Sequence, residues 1–423
     1  MNPDRHKDYL LTPYRVLDLT GEHGLMCGKV LGDLGAEVIV VEPPGGHPAR
    51  AIGPFYKDEV HPEKSLFWFA FNTSKKGITL DITRPAGQQL LKEFVRHADI
   101  VVESFAPGYL DALGLGYEML SAIKPDVIFT SITPFGQTGP RRNWKGTDLT
   151  LQARSGLQYL LGDTDRAPVR ISVPMIATKA GVEAASSSLF ALFHRNRTGE
   201  GQRVDVSIQA VGIWQMMNAS SFPKHHGVDQ ARAGDRYNAG FGNARAILAC
   251  ADGYVTFLTM GGHMGAPTLY AMSRWMESEG KLPDVMQGRK WEEWDMAKLV
   301  TDMAARKEMD DLNELLAQFL ATKSKWEIFE RACNEKILAA PVNNVKDLVE
   351  HPQPNARGFF HALSHEDLNA EIVYPGHWAL MTNAQAGPRF RAPHVGEHNE
   401  EMYGRLLGYS AERIQEWRRD RIV

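Results

Sequence analysis

At 423 residues the chain has room for two to three domains of about 150 residues each, which excludes a small disulfide scaffold or a single short binding module. Its 47 basic and 51 acidic residues leave a formal net charge of −4, so no broad cationic surface suggests nucleic acid, and an anionic ligand would need local cations. Cys27, Cys250 and Cys333 are too scattered for a CxxC zinc pair or a disulfide framework, and MNPDRHKDYL carries no apolar signal stretch, so a cytoplasmic protein without a membrane or nucleic-acid partner is expected.

Arg15 to Leu19 (RVLDL) reads as a short buried strand, Gly24 to Leu34 as a helix and Glu37 to Val41 (EVIVV) as a second strand, which together make a βαβ unit. The alternation continues through a strand at Ile78 to Asp81 and a helix at Pro85 to His97 with proline in its first turn. A strand at Ile100 to Glu103, a helix ending before Lys124-Pro125 and a strand at Val127 to Ile132 follow. Such alternation predicts an α/β, doubly wound, mostly parallel sheet of Rossmann-like type. Further on, Gly181 to Arg197 reads as a helix stopped at Gly199, with a strand at Arg203 to Ile208. The texture changes between Ser221 and Gly242, and strands are expected at Ala244 to Ala249 and Tyr254 to Leu258. A helical stretch then covers Met264 to Arg331, and a return segment from Ala340 ends in a helix beginning at Ser410.

Gly21, Gly24 and Gly28 follow the first strand and Glu42 ends the second, but GxxGxxxG is not the GxGxxG of a dinucleotide fold, and close packing of helix on strand is the expected use of these glycines. Lys75 and Lys76, in Asn72-Thr73-Ser74-Lys75-Lys76-Gly77, could hold phosphates, against a default of a solvated loop. His225-His226 and the pair His361 and His365 lack companion carboxylates or cysteines, so surface histidines rather than a metal site are expected. Ser186-Ser187-Ser188 lacks the GxSxG elbow and reads as close helix packing.

An ordered series of segments resembles the class III CoA-transferases, the CaiB/BaiF family that includes formyl-CoA and carnitine CoA-transferases and 2-methylacyl-CoA racemases. These are RVLDLT at 15–20, LGDLGAEVIVVEPPGGHPAR at 31–50, NTSKKGITLDI at 72–82, ADIVVESFAPGYLDALGLGYEML at 98–120 and ITPFGQTGP at 132–140. GTDLTLQARSGL at 146–157, HRNRTGEGQRVDVSIQA at 194–210, AAPVNNVKDLVEHPQPNARGFF at 339–360 and APHVGEHNEEM at 392–402 complete it. The resemblance implies a discontinuous large domain from residues 1–220 and a return segment 336–423, with a smaller α/β domain at 221–335 and an interlocked dimer of two chains. It also implies transfer of CoA between carboxylic acids through an aspartyl anhydride and an aspartyl-CoA thioester, with a CoA thioester as substrate and no tightly bound cofactor.

Where the family places its nucleophilic Asp, four residues before the glycine matched by Gly181, this sequence has Ala177, and at the racemase His position it has Thr147. The DRLG segment reads Asp111-Ala112-Leu113-Gly114, ENFRPG reads Glu103-Ser104-Phe105-Ala106-Pro107-Gly108, and the QAGP-like turn reads His23-Gly24-Leu25-Met26. Arg50, Asn72, Lys75, Lys76 and Phe105 remain as vestigial CoA contacts. The resemblance therefore implies no catalytic residue of this chain's own. It points to the non-catalytic subunit of a heteromeric transferase, such as benzylsuccinate CoA-transferase of anaerobic toluene degradation, whose homologous partner carries the Asp. The alternatives are an active homodimer with Asp148, Asp163, Asp165 or Glu183 as substitute nucleophile, and a non-catalytic acyl-CoA-binding or regulatory protein.

Overall fold

Apolar runs such as Val38 to Val41 form strands buried on both faces, as a parallel sheet clad in helices requires. The computed structural model describes residues 9–217, 219–227, 229–238 and 243–423. Among these, β1 (Arg15–Leu19), β2 (Glu37–Glu42), β3 (Lys75–Thr79), β4 (Ile100–Glu103), β5 (Ile128–Thr133) and β6 (Gln202–Ser207) form a parallel sheet in the order β3-β2-β1-β4-β5-β6. Val16 stands between Val38 and Ile100, so β1 is the strand on either side of which the winding runs in opposite directions. That order is the one of the doubly wound dinucleotide fold, and it puts the ligand crevice at the carboxyl ends of the strands around β1.

The helices are α1 (Leu25–Asp33), α2 (Leu66–Asn72), α3 (Pro85–Arg96), α4 (Tyr109–Ala112), α5 (Tyr117–Ile123), α6 (Asp148–Ser155), α7 (Met175–Thr198) and α8 (Ile208–Gln215). On one face of the sheet, Leu31 of α1 and Ala180 and Ala184 of α7 pack with Val16, Val38 and Ile128. On the other, Leu91 and Phe94 of α3 meet Tyr403 and Trp417 from the C-terminal stretch, so the end of the chain completes the core begun at its start.

Two elements differ from the sequence reading. The third strand begins at Lys75 rather than Ile78, because Lys75 is buried by an ion partner on β1. The long helix starts at Met175, six residues before Gly181, because the Asp148 carboxylate accepts the amides of Ile176 and Ala177 at its N-terminus. Gly181 lies where a Cβ would come within 2.7 Å of Met26, so its place is set by the crossing of α7 over α1.

The chain divides into two units. The first comprises residues up to 158, 170–226 and 352–423, and the second 159–169 and 227–351. In the second, Ala339–Val342 pairs antiparallel with Gly253–Phe257, itself paired with Ile247–Cys250. Residues 336–351 therefore belong with this unit and not with the return segment. Trp275, Leu316 and Ile328 from three of its helices bury against that small sheet. His365, read as a surface histidine, is buried in the first unit against Phe69 and bonds the Tyr374 hydroxyl at 2.7 Å.

Glu63 ties the loop before α2 to the C-terminal segment, accepting from Arg50 at 2.8 Å, the Val395 amide at 3.0 Å and His394 at 2.9 Å. Burial opposes ionisation of Glu63, but these hydrogen bonds and the Arg50 charge outweigh it and hold its carboxyl at about 2. A depressed carboxyl stabilises the fold fully above the unfolded value near 4.3 and loses that contribution as pH falls towards 2. His394, raised by its bond to Glu63, adds stability at low pH that is lost as pH rises through its own titration. Glu63→Gln is therefore expected to lower unfolding stability by about 2 kcal/mol at pH 6 and to flatten the acid limb of a urea-midpoint profile between pH 5 and 3.

Candidate functional site

At the carboxyl edge of β1 to β4 lies a cleft of about 430 Å³ whose walls include Thr20, His47, Leu80, Phe105 and Tyr109. A second chamber of about 210 Å³ is lined by His23, Phe67, Phe71, Asp148, Pro174, Ala177 and Thr178. Glu22 and Ile52 border both, so the two lie on either side of these residues, and the chamber reaches the start of α7.

The turn after β1 that supplies Thr20 to His23 is fixed from beneath. Lys75 and Asp18 are fully buried and bonded at 2.8 Å, and the other two Lys75 donors go to the Leu25 carbonyl at 2.8 Å and Asn72 Oδ1 at 2.9 Å. Burial pulls the Lys75 ammonium below its usual range, and the Asp18 charge counteracts that pull. The free Asp18 oxygen accepts the Thr20 amide at 3.0 Å and its hydroxyl at 2.6 Å. Gly28 leaves the space for this pair, since a Cβ there would lie 2.1 Å from Asp18 Oδ2, and at Gly24 a Cβ would strike Thr20. The glycine series after β1 thus serves an ion pair and a turn.

Of the five residues named as vestigial CoA contacts, only Phe105 lines the cleft. Lys75 and Lys76 stand in β3, not in a solvated loop; Lys75 has no donor left, Asn72 is spent on Lys75 and the Trp68 carbonyl, and Lys76 bridges Glu37 and Glu401 at 2.7 Å each. Arg50 is buried, forks onto Glu42 at 2.6 and 2.8 Å, and stacks on Trp68 at 4.0 Å. Phe105 stacks on Tyr109 at 5.0 Å, and its amide is held at 2.7 Å by Glu103, whose carboxyl burial pushes up to about 7. His47, lowered by burial, accepts the Ala49 amide at Nδ1 and donates from Nε2 to the Thr20 carbonyl, closing the cleft wall.

Ala177, in the first turn of α7, lines the chamber together with Phe67 and Phe71. Thr147 caps α6 in a reciprocal capping box with Thr150. Of the four acids weighed as substitutes, only Asp148 lines the chamber. It is engaged at Oδ1 by two amides and at Oδ2 by Gln152. Glu183 pairs with Lys179 at 2.8 Å, and Asp163 and Asp165 pair with Arg166 in the other unit. Sequence reasoning passed over Phe67 and Phe71, although the aromatic run LFWFAF places them four apart and hence on one face of α2.

Lys75→Met leaves the Asp18 carboxylate buried without its partner and is expected to cost about 3–5 kcal/mol, read from the urea midpoint, with Asp18→Asn in the same chain recovering part of the loss.

The family model for CoA-transferase family III matches residues 11–399. The chain is 34% identical over 403 residues, 92% of each chain, to the succinyl-CoA:(R)-benzylsuccinate CoA-transferase subunit BbsE of Thauera aromatica. It is 30% identical, over 98% of each chain, to a succinyl-CoA–D-citramalate CoA-transferase of Chloroflexus aurantiacus. Among solved structures, a CAIB/BAIF family protein from Brucella suis superposes with a TM-score of 0.80 at 26% identity, covering 95% of this chain and all of that one.

Proposed function

We propose that this chain, which belongs to CoA-transferase family III, is the non-catalytic subunit of a heteromeric transferase that moves CoA between carboxylic acids. The observation that carries the reading is Ala177. In the family chemistry a carboxylate at that position attacks the thioester carbonyl and expels CoA thiolate to leave a mixed anhydride; the thiolate then attacks the anhydride at the aspartyl carbonyl, giving an aspartyl-CoA thioester and releasing the donor acid as its carboxylate. A methyl group can do none of this. Asp148, beside it, is held by three donors, which lowers its nucleophilicity and leaves it the work of capping α7.

The similarity to a protein named as a subunit supports a heteromer with a homologous chain that bears the Asp. Phe190, Phe193 and Trp214, 73%, 65% and 64% exposed on α7 and α8, are aromatic side chains that the partner chain would cover. We take the assembly to be an interlocked dimer and the location to be the cytoplasm; among the described residues no helix is long and apolar enough to cross a membrane. Succinyl-CoA as donor and benzylsuccinate as acceptor are the substrates proposed from the relative's name, and the place in toluene degradation from the family resemblance.

The purified chain alone is expected to show no CoA transfer, a loss on the order of 10⁴- to 10⁶-fold against the complex. Ala177→Asp is expected not to restore it, since the contacts expected from Arg at positions 106 and 112 are replaced by alanines. Hydroxylamine trapping after incubation with succinyl-CoA checks this: a stoichiometric adduct on Asp148 or Glu183 would overturn the assignment. Co-expression with an Asp-bearing homologue is expected to yield a hetero-oligomer, and Phe190→Glu or Phe193→Glu to reduce its yield several-fold. A stable monodisperse monomer in light scattering contradicts the assembly.

A further inference from the structure

We propose that the second unit carries an anion site of its own, a cavity between the helix Gly262–Ser278 and the turn before Trp291 that takes the phosphoryl group of a small molecule. The site lies wholly within that unit and rests on no reading of the cleft or of the chamber beside Ala177. Its volume of about 730 Å³ falls in the range of about 300–1,000 Å³ that small-molecule sites occupy. Tyr270, Arg274 and Glu277 line it from one face of the helix, and Arg289, Lys290 and Trp291 line it from the turn. The Tyr270 hydroxyl joins the two walls, accepting the Trp291 amide at 3.3 Å and donating to Glu292 at 2.5 Å.

Two independent observations point to an anion. The first is Trp291, which is wholly buried, lines the cavity, and has an indole N–H without an acceptor among the described residues. A buried donor left unmet is destabilising until an acceptor is supplied. The second is charge: three cations line the cavity against one carboxylate, that of Glu277, which is exposed to water and so screened. Arg274 has no ion partner among the described residues. Arg289 contacts Glu308 at 2.6 Å through one nitrogen and lies 4.7 and 4.8 Å from the ring centres of Trp291 and Trp294. It is thus held in place with N–H donors still unspent. Lys290 pairs only with Glu293, and the pair is so exposed that it yields readily to a ligand.

The donors select phosphate over carboxylate. A carboxylate offers one charge and two oxygens, whereas a phosphate ester offers nearly two charges and three oxygens, enough to meet two guanidinium groups, an ammonium and an indole N–H together. A nucleotide and free pyrophosphate share this chemistry.

The test is calorimetric titration of the full chain with pyrophosphate, ADP and glutarate, joined to spectra of the ¹⁵N-labelled indole groups in which Trp291→Phe identifies the Trp291 signal. The expected result is that pyrophosphate and ADP bind at least ten-fold tighter than glutarate and move the Trp291 signal. Arg274→Gln is expected to weaken both about ten-fold, the loss of one charge-assisted hydrogen bond. Arg274 is exposed and unpartnered, so this variant keeps its fold whatever Trp291→Phe does. ADP binding well above pyrophosphate identifies a nucleotide as the source of the phosphoryl group, and equal binding identifies the phosphate alone; both support the site. Glutarate binding as tightly as pyrophosphate overturns the choice of phosphate. Binding that Arg274→Gln leaves undiminished, binding that leaves the Trp291 signal in place, or no binding of either phosphate at millimolar concentration overturns the site itself.

Discussion

The buried pair of Asp18 and Lys75 is the constraint from which the site takes its shape. Neither charge reaches water, and desolvating two ions costs several kcal/mol each unless every donor and acceptor is met. Here the three ammonium protons reach Asp18, Leu25 and Asn72, and the second carboxylate oxygen takes the Thr20 amide and hydroxyl. One pair thereby joins the end of β1, the first turn of α1, the end of α2 and the start of β3. The turn that borders both cavities is anchored on it, and Gly28 is the concession the helix makes to the carboxylate.

A second knot does the same for the far wall. Arg50 binds Glu42, Glu63 and the Pro393 carbonyl, and Trp68 lies under its guanidinium while donating to that same carbonyl. A residue near position 50 thus holds a segment more than three hundred residues later in sequence, and the C-terminal stretch completes the sheet's cover. Lysine would not serve, because a point charge cannot fork onto one carboxylate while reaching another and stacking on an indole.

These two knots also explain what was and was not legible in the sequence. Strands such as RVLDL and IVVE declare themselves by composition, and the helix from Pro85 by its proline and periodicity, so the winding of the sheet could be read directly. The start of β3 could not, because two adjacent lysines look solvated unless Asp18, fifty-seven residues earlier, is known to lie beneath the first of them. The early start of α7 was hidden for the same reason: its cap is Asp148 and not a neighbour. Lys75 and Lys76 look like phosphate ligands because local sequence reveals a charge but not whether a partner has already claimed it. That position 177 holds alanine, by contrast, is plain from the sequence alone.

The departures from the family pattern fall where the fold has least to lose. Ala106, Ala112 and Thr147 are exposed, and Ala177 opens on the chamber. None of these alanines leaves a buried donor or acceptor unmet, so a charged or catalytic group can be lost from such positions at little cost to stability. Asp18, Lys75, Arg50 and Glu42 are different, because removing any one strands another inside the protein. The chemistry of a covalent nucleophile and the integrity of the scaffold therefore rest on separate residues. On the reading proposed above, that separation lets a chain give up the reaction while it keeps its helices and strands.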